Sequence, residues 1–134
     1  MPEFKGSCLC GSVTYTASTA PVFKGLCHCT NCQKITGSAF ASVIAFPAAA
    51  VTVSGPTTQF DGKGDSGQPT HRRFCPTCGS TVTEAADIMK DIVMVPTGTL
   101  SDPTVAAPDM QIYCDSAMPW AVLPGVHTVA KMPG

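Results

Sequence analysis

Seven of the eight cysteines in this chain fall in three tight clusters: Cys8 with Cys10; Cys27, Cys29 and Cys32; Cys75 with Cys78. Only Cys114 stands alone. This spacing limits the fold more than any other feature does. Disulfide frameworks spread their cysteines so that each bridge closes a loop. A metal ion instead draws together thiolates close in sequence, each about 2.3 Å from a zinc. The first residues, MPEFKGSCLC, lack the apolar stretch and cleavage pattern of a secretory leader. The expectation is a cytoplasmic protein with reduced thiols, whose cysteines are metal ligands or reactive groups before they are disulfides.

A closed structural zinc takes four ligands and a catalytic zinc takes three plus an exchangeable one. The clustered thiols divide most simply as four and three: Cys8, Cys10, Cys75 and Cys78 for one site, Cys27, Cys29 and Cys32 for the other. Other partitions, such as Cys75 and Cys78 joining two of the middle three, strand a thiol or split a cluster. A single zinc with spare cysteines is the bland alternative, and it leaves thiolates uncompensated.

The rest of the chain reads as one all-β domain over residues 1–134, built of short strands with little helix and stapled by metal. Hydrophobic residues make up 44% and charged residues 13%, which excludes intrinsic disorder. A net charge of -1 argues against a nucleic-acid partner. No apolar run approaches the roughly 18 residues of a membrane helix. Gly11 to Ala17 alternates Val13, Tyr15 and Ala17 with polar residues, the pattern of a half-buried strand. Extended backbone leading into it would put Cys8 and Cys10 on one face. Cys27 and Cys29, after the mostly apolar Pro21 to Leu26, invite the same reading, with His28 turned away and hydrogen-bonded.

Gln33 to Gly37 predicts one helical turn closed by Gly37. Ala39 to Phe46 is apolar on both faces, fit for a sheet centre, and Pro47 with three alanines predicts a bend. Val51 to Val53 and Thr57 to Phe60 read as strands around Gly55-Pro56, and Asp61 to Pro69 as a hairpin tip. Cys75-Pro76-Thr77-Cys78-Gly79 has the form of a zinc knuckle, with Gly79 permitting positive φ. Ser80 to Glu84, Asp91 to Val95 and Gln111 to Cys114 are further strands, Asp102 to Asp109 is a connector, and the tail from Gly125 is expected to be loosely attached.

Zinc on three thiolates carries a formal charge of about -1 and is a weak Lewis acid, suited to a soft partner rather than to making hydroxide. An incoming thiol could take the fourth position, ionise, and attack an electrophilic carbon such as an aldehyde. No HExxH, phosphate loop or Ser-His-Asp order points to hydrolysis. The main rival is a non-catalytic zinc-stapled binding module, in which Cys114 or a histidine closes the second site. A dithiol redox protein is a third reading, weakened by the lack of a βα unit around a C-x-x-C pair.

Three segments carry a family resemblance: Gly6-Ser7-Cys8-Leu9-Cys10-Gly11-Ser12-Val13, Cys27-His28-Cys29-Thr30-Asn31-Cys32-Gln33-Lys34 and Phe74-Cys75-Pro76-Thr77-Cys78-Gly79. Together, and with the late Pro119-Trp120, they resemble the glutathione-dependent formaldehyde-activating enzyme family. The resemblance implies several short, coiled antiparallel sheets, and two zinc ions per chain. One would be structural, on Cys8, Cys10, Cys75 and Cys78; the other an active-site zinc on Cys27, Cys29 and Cys32. It implies a carbon–sulfur lyase joining glutathione or a similar thiol to formaldehyde or another small aldehyde. Arg72, Arg73 and Lys34 are the cations available for a carboxylate-bearing substrate, and Gln33 is a polar group beside the second site.

Overall fold

The structure is a computed structural model that describes residues 4–133; the first three residues, on which the leader reading partly rests, and Gly134 lie outside them. The chain is mostly strand. In order it forms β1 (Phe4–Ser7), β2 (Thr14–Ala17), β3 (Phe23–Cys27), α1 (Thr30–Thr36), β4 (Ala41–Pro47), β5 (Val51–Ser54), β6 (Thr58–Lys63), β7 (Pro69–Phe74), β8 (Thr81–Ala86), β9 (Ile92–Pro96), β10 (Met110–Ile112) and β11 (His127–Thr128). Three strands make a small antiparallel sheet, β1-β2-β5, and eight make a large one, β11-β10-β3-β4-β9-β8-β7-β6. All-β architecture from short antiparallel strands therefore holds, and the large sheet becomes mixed at one edge, where β10 runs parallel to β3 and to β11.

Period-two patterning explains the layering. In β4, Ile44 and Phe46 point to the small sheet and are fully buried, while Ala41, Val43 and Ala45 are buried on the opposite face. The core joins Ile44 and Phe46 to Tyr15 and Ala17 of β2, Val82 of β8 and Val95 of β9. Cys8 and Cys75 belong to the same buried cluster. Removing this apolar surface from water is the main favourable term, about 25 cal/mol per Å².

Several details differ from the sequence reading. Cys8 and Cys10 do not lie on extended backbone. The Cys8 N–H donates to Val13 O at 3.0 Å and the Gly11 N–H to Cys8 O at 3.2 Å, which makes a tight turn. The reason is geometric: on a strand, positions two apart are separated by about 6.7 Å, too wide for two sulfurs to share one ion comfortably. The expected helical turn begins earlier, as α1, with Cys29 as its cap and Gly37 in the left-handed conformation at φ 66 ending it. The strands around Gly55-Pro56 form, but β5 joins the small sheet and β6 the large one, so that turn passes the chain between layers. Cys114 opens a short 3-10 turn, Cys114–Ser116, instead of lying in a strand.

The tail is not loose. Strand β10 would otherwise expose an edge. It pairs with β11, and the Tyr113, Cys114 and Asp115 N–H groups donate to the carbonyls of Lys131, Val129 and Ala130.

His71 on β7 ties three neighbouring segments together. Its Nδ1 lies 2.7 Å from Asp61 Oδ1 on β6 and its Nε2 2.8 Å from Asp87 Oδ1 in the turn after β8. Two carboxylates accept from both ring nitrogens, so the hydrogen bond to Asp61, then that to Asp87, raises the imidazole pKa above 6.5. The same contact lowers Asp61 below 3.8. The histidine's contribution is complete below its unfolded pKa and fades as pH rises through the raised folded value; the aspartate's fades as pH falls through its lowered one. His71→Gln should therefore lower Tm most between about pH 4 and 6.5, with the deficit shrinking at higher pH. Thermal melts across pH check this, and a deficit that widens with rising pH contradicts it.

Candidate metal centres

The structure gathers the clustered cysteines into two groups. Cys8, Cys10, Cys75 and Cys78 form one, and Cys27, Cys29 and Cys32 the other; within each, the sulfurs all lie within 4.8 Å of one another. All eight cysteines are free thiols.

In the four-sulfur group, Cys10 Sγ lies 3.7 Å from Cys8 Sγ and 3.7 Å from Cys75 Sγ. A tetrahedron with zinc–sulfur bonds of about 2.3 Å has edges of about 3.8 Å, whereas a disulfide needs about 2.05 Å. The donor set thus fits a tetrahedral thiophilic ion. Two remote turns supply it. The loop between β1 and β2 brings Cys8 and Cys10, and the knuckle between β7 and β8 brings Cys75 and Cys78, with Gly79 at φ 79 where the chain leaves. Hydrogen bonds support the sulfurs. The Thr77 and Cys78 N–H groups approach Cys75 Sγ at 3.4 and 3.5 Å. The Ser12 hydroxyl sits 3.1 Å from Cys10 Sγ and 3.3 Å from Cys75 Sγ, and the Ser80 hydroxyl 3.2 Å from Cys78 Sγ. The Ser80 contact lowers the Cys78 thiol to about 5, and the Ser12 contact lowers Cys75 to about 7. At Cys75 and Cys78 the thiolate, the form that binds metal, is favoured; at Cys10 the Ser12 hydrogen bonds are outweighed by desolvation and the Cys8 and Cys75 contacts, and the thiol is pushed up.

The three-sulfur group is built differently. Cys27 ends β3 and is buried, while Cys29 and Cys32 at the start of α1 are half-buried. The Cys32 N–H donates to Cys29 Sγ at 3.2 Å. Mutual contact sets the charge: the hydrogen bond from Cys27 holds Cys29 down to about 3, the same contact pushes Cys27 up to about 12, and Cys27 and Cys29 together push Cys32 up. Crowding thus favours the Cys29 thiolate and opposes ionisation of Cys27 and Cys32. Ionising the other two calls for a cation among them.

A buried polar network fixes this loop from behind. His28 Nε2 lies 3.0 Å from Gln111 Oε1, and Gln111 Nε2 donates to the Leu123 and Val126 carbonyls. His28 thus points away from the sulfurs. Gln33 donates to His28 O at 2.8 Å and Ser116 O at 3.1 Å, so its amide is committed to the scaffold. Cys114 lies outside both groups, its Sγ 3.5 Å from Gln111 O.

Hairpin β6–β7 reaches over the three-sulfur group. In a flat sheet, β6 would lie five strand spacings, about 24 Å, from β3. Yet Asn31 Nδ2 of α1 donates to Lys63 O at 3.3 Å, and the Tyr113 hydroxyl to Asp65 Oδ2 at 3.2 Å. Accumulated strand twist coils the sheet until its far hairpin meets α1. Tyr113 carries positive φ, 55°, rare for a bulky residue, directly after the position paired with Cys27. Burial, then the Asp65 carboxylate, pushes its phenol up to about 12.

The candidate cations separate. Arg72 shares the coiled face with Cys27, Arg73 points to the opposite face beside Gln59, and Lys34 is exposed on α1. Sequence reasoning missed Glu84, Tyr113 and Asp65 as neighbours of the site. The one local signal was a lone carboxylate, Glu84, ending a predicted strand.

Comparison with known proteins accords with this geometry. None of the curated proteins compared with the chain matches it. A crystal structure of a Rhodobacter sphaeroides protein is similar in fold, with a TM-score of 0.60 and 18% identity, over 93% of this chain and 99% of that one. Residues 3–116 match the family described as glutathione-dependent formaldehyde-activating enzyme. The match takes in both sulfur groups and every strand except β11. This chain belongs to the glutathione-dependent formaldehyde-activating enzyme family.

Proposed function

We propose that this chain is a single-domain, zinc-dependent carbon–sulfur lyase of the cytoplasm. It joins a thiol, glutathione or one like it, to a small aldehyde such as formaldehyde, or cleaves the adduct. One zinc, on Cys8, Cys10, Cys75 and Cys78, braces the fold. A second, on Cys27, Cys29 and Cys32, serves the reaction. The observation that carries this reading is the unequal pair of centres: four sulfurs in one group, and three in another whose Cys29 and Cys32 are only half-buried. Family membership supports the choice of thiol and aldehyde.

When bound, the second zinc supplies a lowered pKa for a thiol beside it. The chain's own residues do the rest. The His28–Gln111 network holds the Cys27–Cys29 loop in place, which spares the centre reorganisation during reaction. The tip of the β6–β7 hairpin, held by Asn31 and Tyr113, narrows access for water and bulky reactants. Arg72, with Phe60 and Phe74 against its guanidinium, offers a fixed cation for a substrate carboxylate.

Cobalt substitution tests the division of labour. Two ions per chain should bind, and added thiol should shift the visible spectrum of one of them; two spectra indifferent to thiol would leave a metal-braced binding module. Substitution separates the centres further. Cys29→Ser should abolish turnover with Tm nearly unchanged. Cys78→Ser should cost about 3 kcal/mol or more of stability, since structural zinc contributes to folding outright. Thermal melts and turnover of the two variants check this, and like behaviour in both contradicts the assignment.

A further inference from the structure

One carboxylate shares the coiled face with the three-sulfur centre. The register traces the connection. Cys27 pairs with Ala41; Ala45, four residues along β4, pairs with Met94; Met94 pairs with Glu84; Glu84 pairs with Arg72; and Arg72 pairs with Phe60. Paired residues, and residues an even number apart on a strand, project to one face. Among the residues in this series Glu84 and Arg72 alone are charged. The rest are Cys27, alanines, Met94 and Phe60.

Glu84 is half-buried, and what its carboxyl feels is burial first, then the Arg72 guanidinium, then the Cys29 sulfur; no hydrogen bond is among these. Burial outweighs Arg72 and raises its pKa. Arg72 is not folded onto it as an ion pair. Its guanidinium instead lies 5.5 Å from the Phe60 ring centroid and 5.6 Å from that of Phe74. Among the described residues its carboxyl has no hydrogen-bond partner, and a half-buried carboxylate without one is costly to keep for structure alone. The other acid–base groups near the centre are turned elsewhere. His28 bonds to Gln111 through Nε2, on the side away from the sulfurs, and its Nδ1 is buried without a hydrogen-bond partner among the described residues; the Tyr113 phenol donates to Asp65. His71 lies on β7 one residue from Arg72 and points to the opposite face, between Asp61 and Asp87.

We propose that Glu84 carries the proton of the reaction at the three-cysteine centre. This rests on the function proposed above and adds a residue to it. As the thiol arrives, its S–H bond breaks and the proton passes to the Glu84 carboxylate. The sulfur lone pair forms the C–S bond to the aldehyde carbon, and the carbonyl π pair withdraws to oxygen. Glu84 then returns the proton to that oxygen. Thiol and aldehyde have become the hydroxyalkyl thioether, the carboxylate is restored, and no oxidant or reductant is required. The reverse sequence cleaves the adduct. The groups paired with Glu84 in this role are Arg72 from β7 and Met94 from β9, and the Cys29 sulfur acts on its carboxyl through space.

The test uses zinc-loaded protein and Glu84→Gln, with glutathione as the probe thiol. Calorimetric titration at pH 7 in two buffers of different ionisation enthalpy counts the protons released on thiol binding. The glutamine variant should release about one more proton per bound thiol than the parent does, because its side chain cannot accept one. Adduct formation with formaldehyde should show kcat lowered about 100-fold with KM little changed, Glu84→Asp should recover part of it, and Tm and zinc content should match the parent. Thiol binding with equal proton release in parent and variant, or kcat within twofold, overturns the role of Glu84 and leaves the function standing. Failure of the parent to bind thiol overturns both.

Discussion

The convergence of Cys8 and Cys10 with Cys75 and Cys78 is the constraint on which the rest of the molecule depends. It ties a turn near the start of the chain to a turn in its middle, 65 residues apart between Cys10 and Cys75. It also does so inside the core, since Cys8 and Cys75 are packed with Tyr15, Phe46 and Val82. The apolar contribution is modest. The chain has only six Phe, two Tyr and one Trp, and Trp120 is 79% exposed, so sulfur fills space that aromatic side chains fill in a larger core. A cation among these thiolates would turn a cluster of crowded, partly ionised groups into a crosslink. Clamping the loop before β2 to the knuckle before β8 sets the small sheet on one face of the large one, and leaves the other face to coil over Cys27.

The same element chemistry yields two different sites because the supports differ. Serine hydroxyls and backbone N–H groups surround the four sulfurs and leave them facing one another. The three sulfurs instead sit where β3 passes into α1, backed by a polar network on one side and faced by the coiled sheet on the other. That coil converts a remote hairpin into a cover and brings Glu84 and Arg72 onto the face of the centre.

Much of this was legible along the chain. Ligand spacing is a local property, so the grouping of thiols could be read from Cys8 through Cys78 without coordinates. Strand β4 was legible for the same reason, as a short run apolar on both faces. The turn at Cys8 to Gly11 was not, because the alternation of Val13, Tyr15 and Ala17 was carried back past Gly11, where the backbone reverses. The docking of the tail was hidden because β11 is two residues long and its pairing is set by the edge it meets, not by its own pattern. Tyr113 and Asp65 gave no signal as site residues and Glu84 only that of a lone carboxylate ending a strand, since their approach to the cysteines depends on twist summed over many strands. No window of sequence holds that information.

If the three-cysteine centre does chemistry on a thiol and an aldehyde, metal at that centre should speed their union. The most direct measurement is the rate of S-hydroxymethyl adduct formation from formaldehyde and a panel of thiols, glutathione among them, with the zinc-loaded chain beside a zinc-stripped control. The loaded protein should accelerate the reaction above the buffer rate, with at least one thiol preferred, and lose that acceleration on stripping. Equal rates in buffer, stripped and loaded samples for every thiol would contradict it.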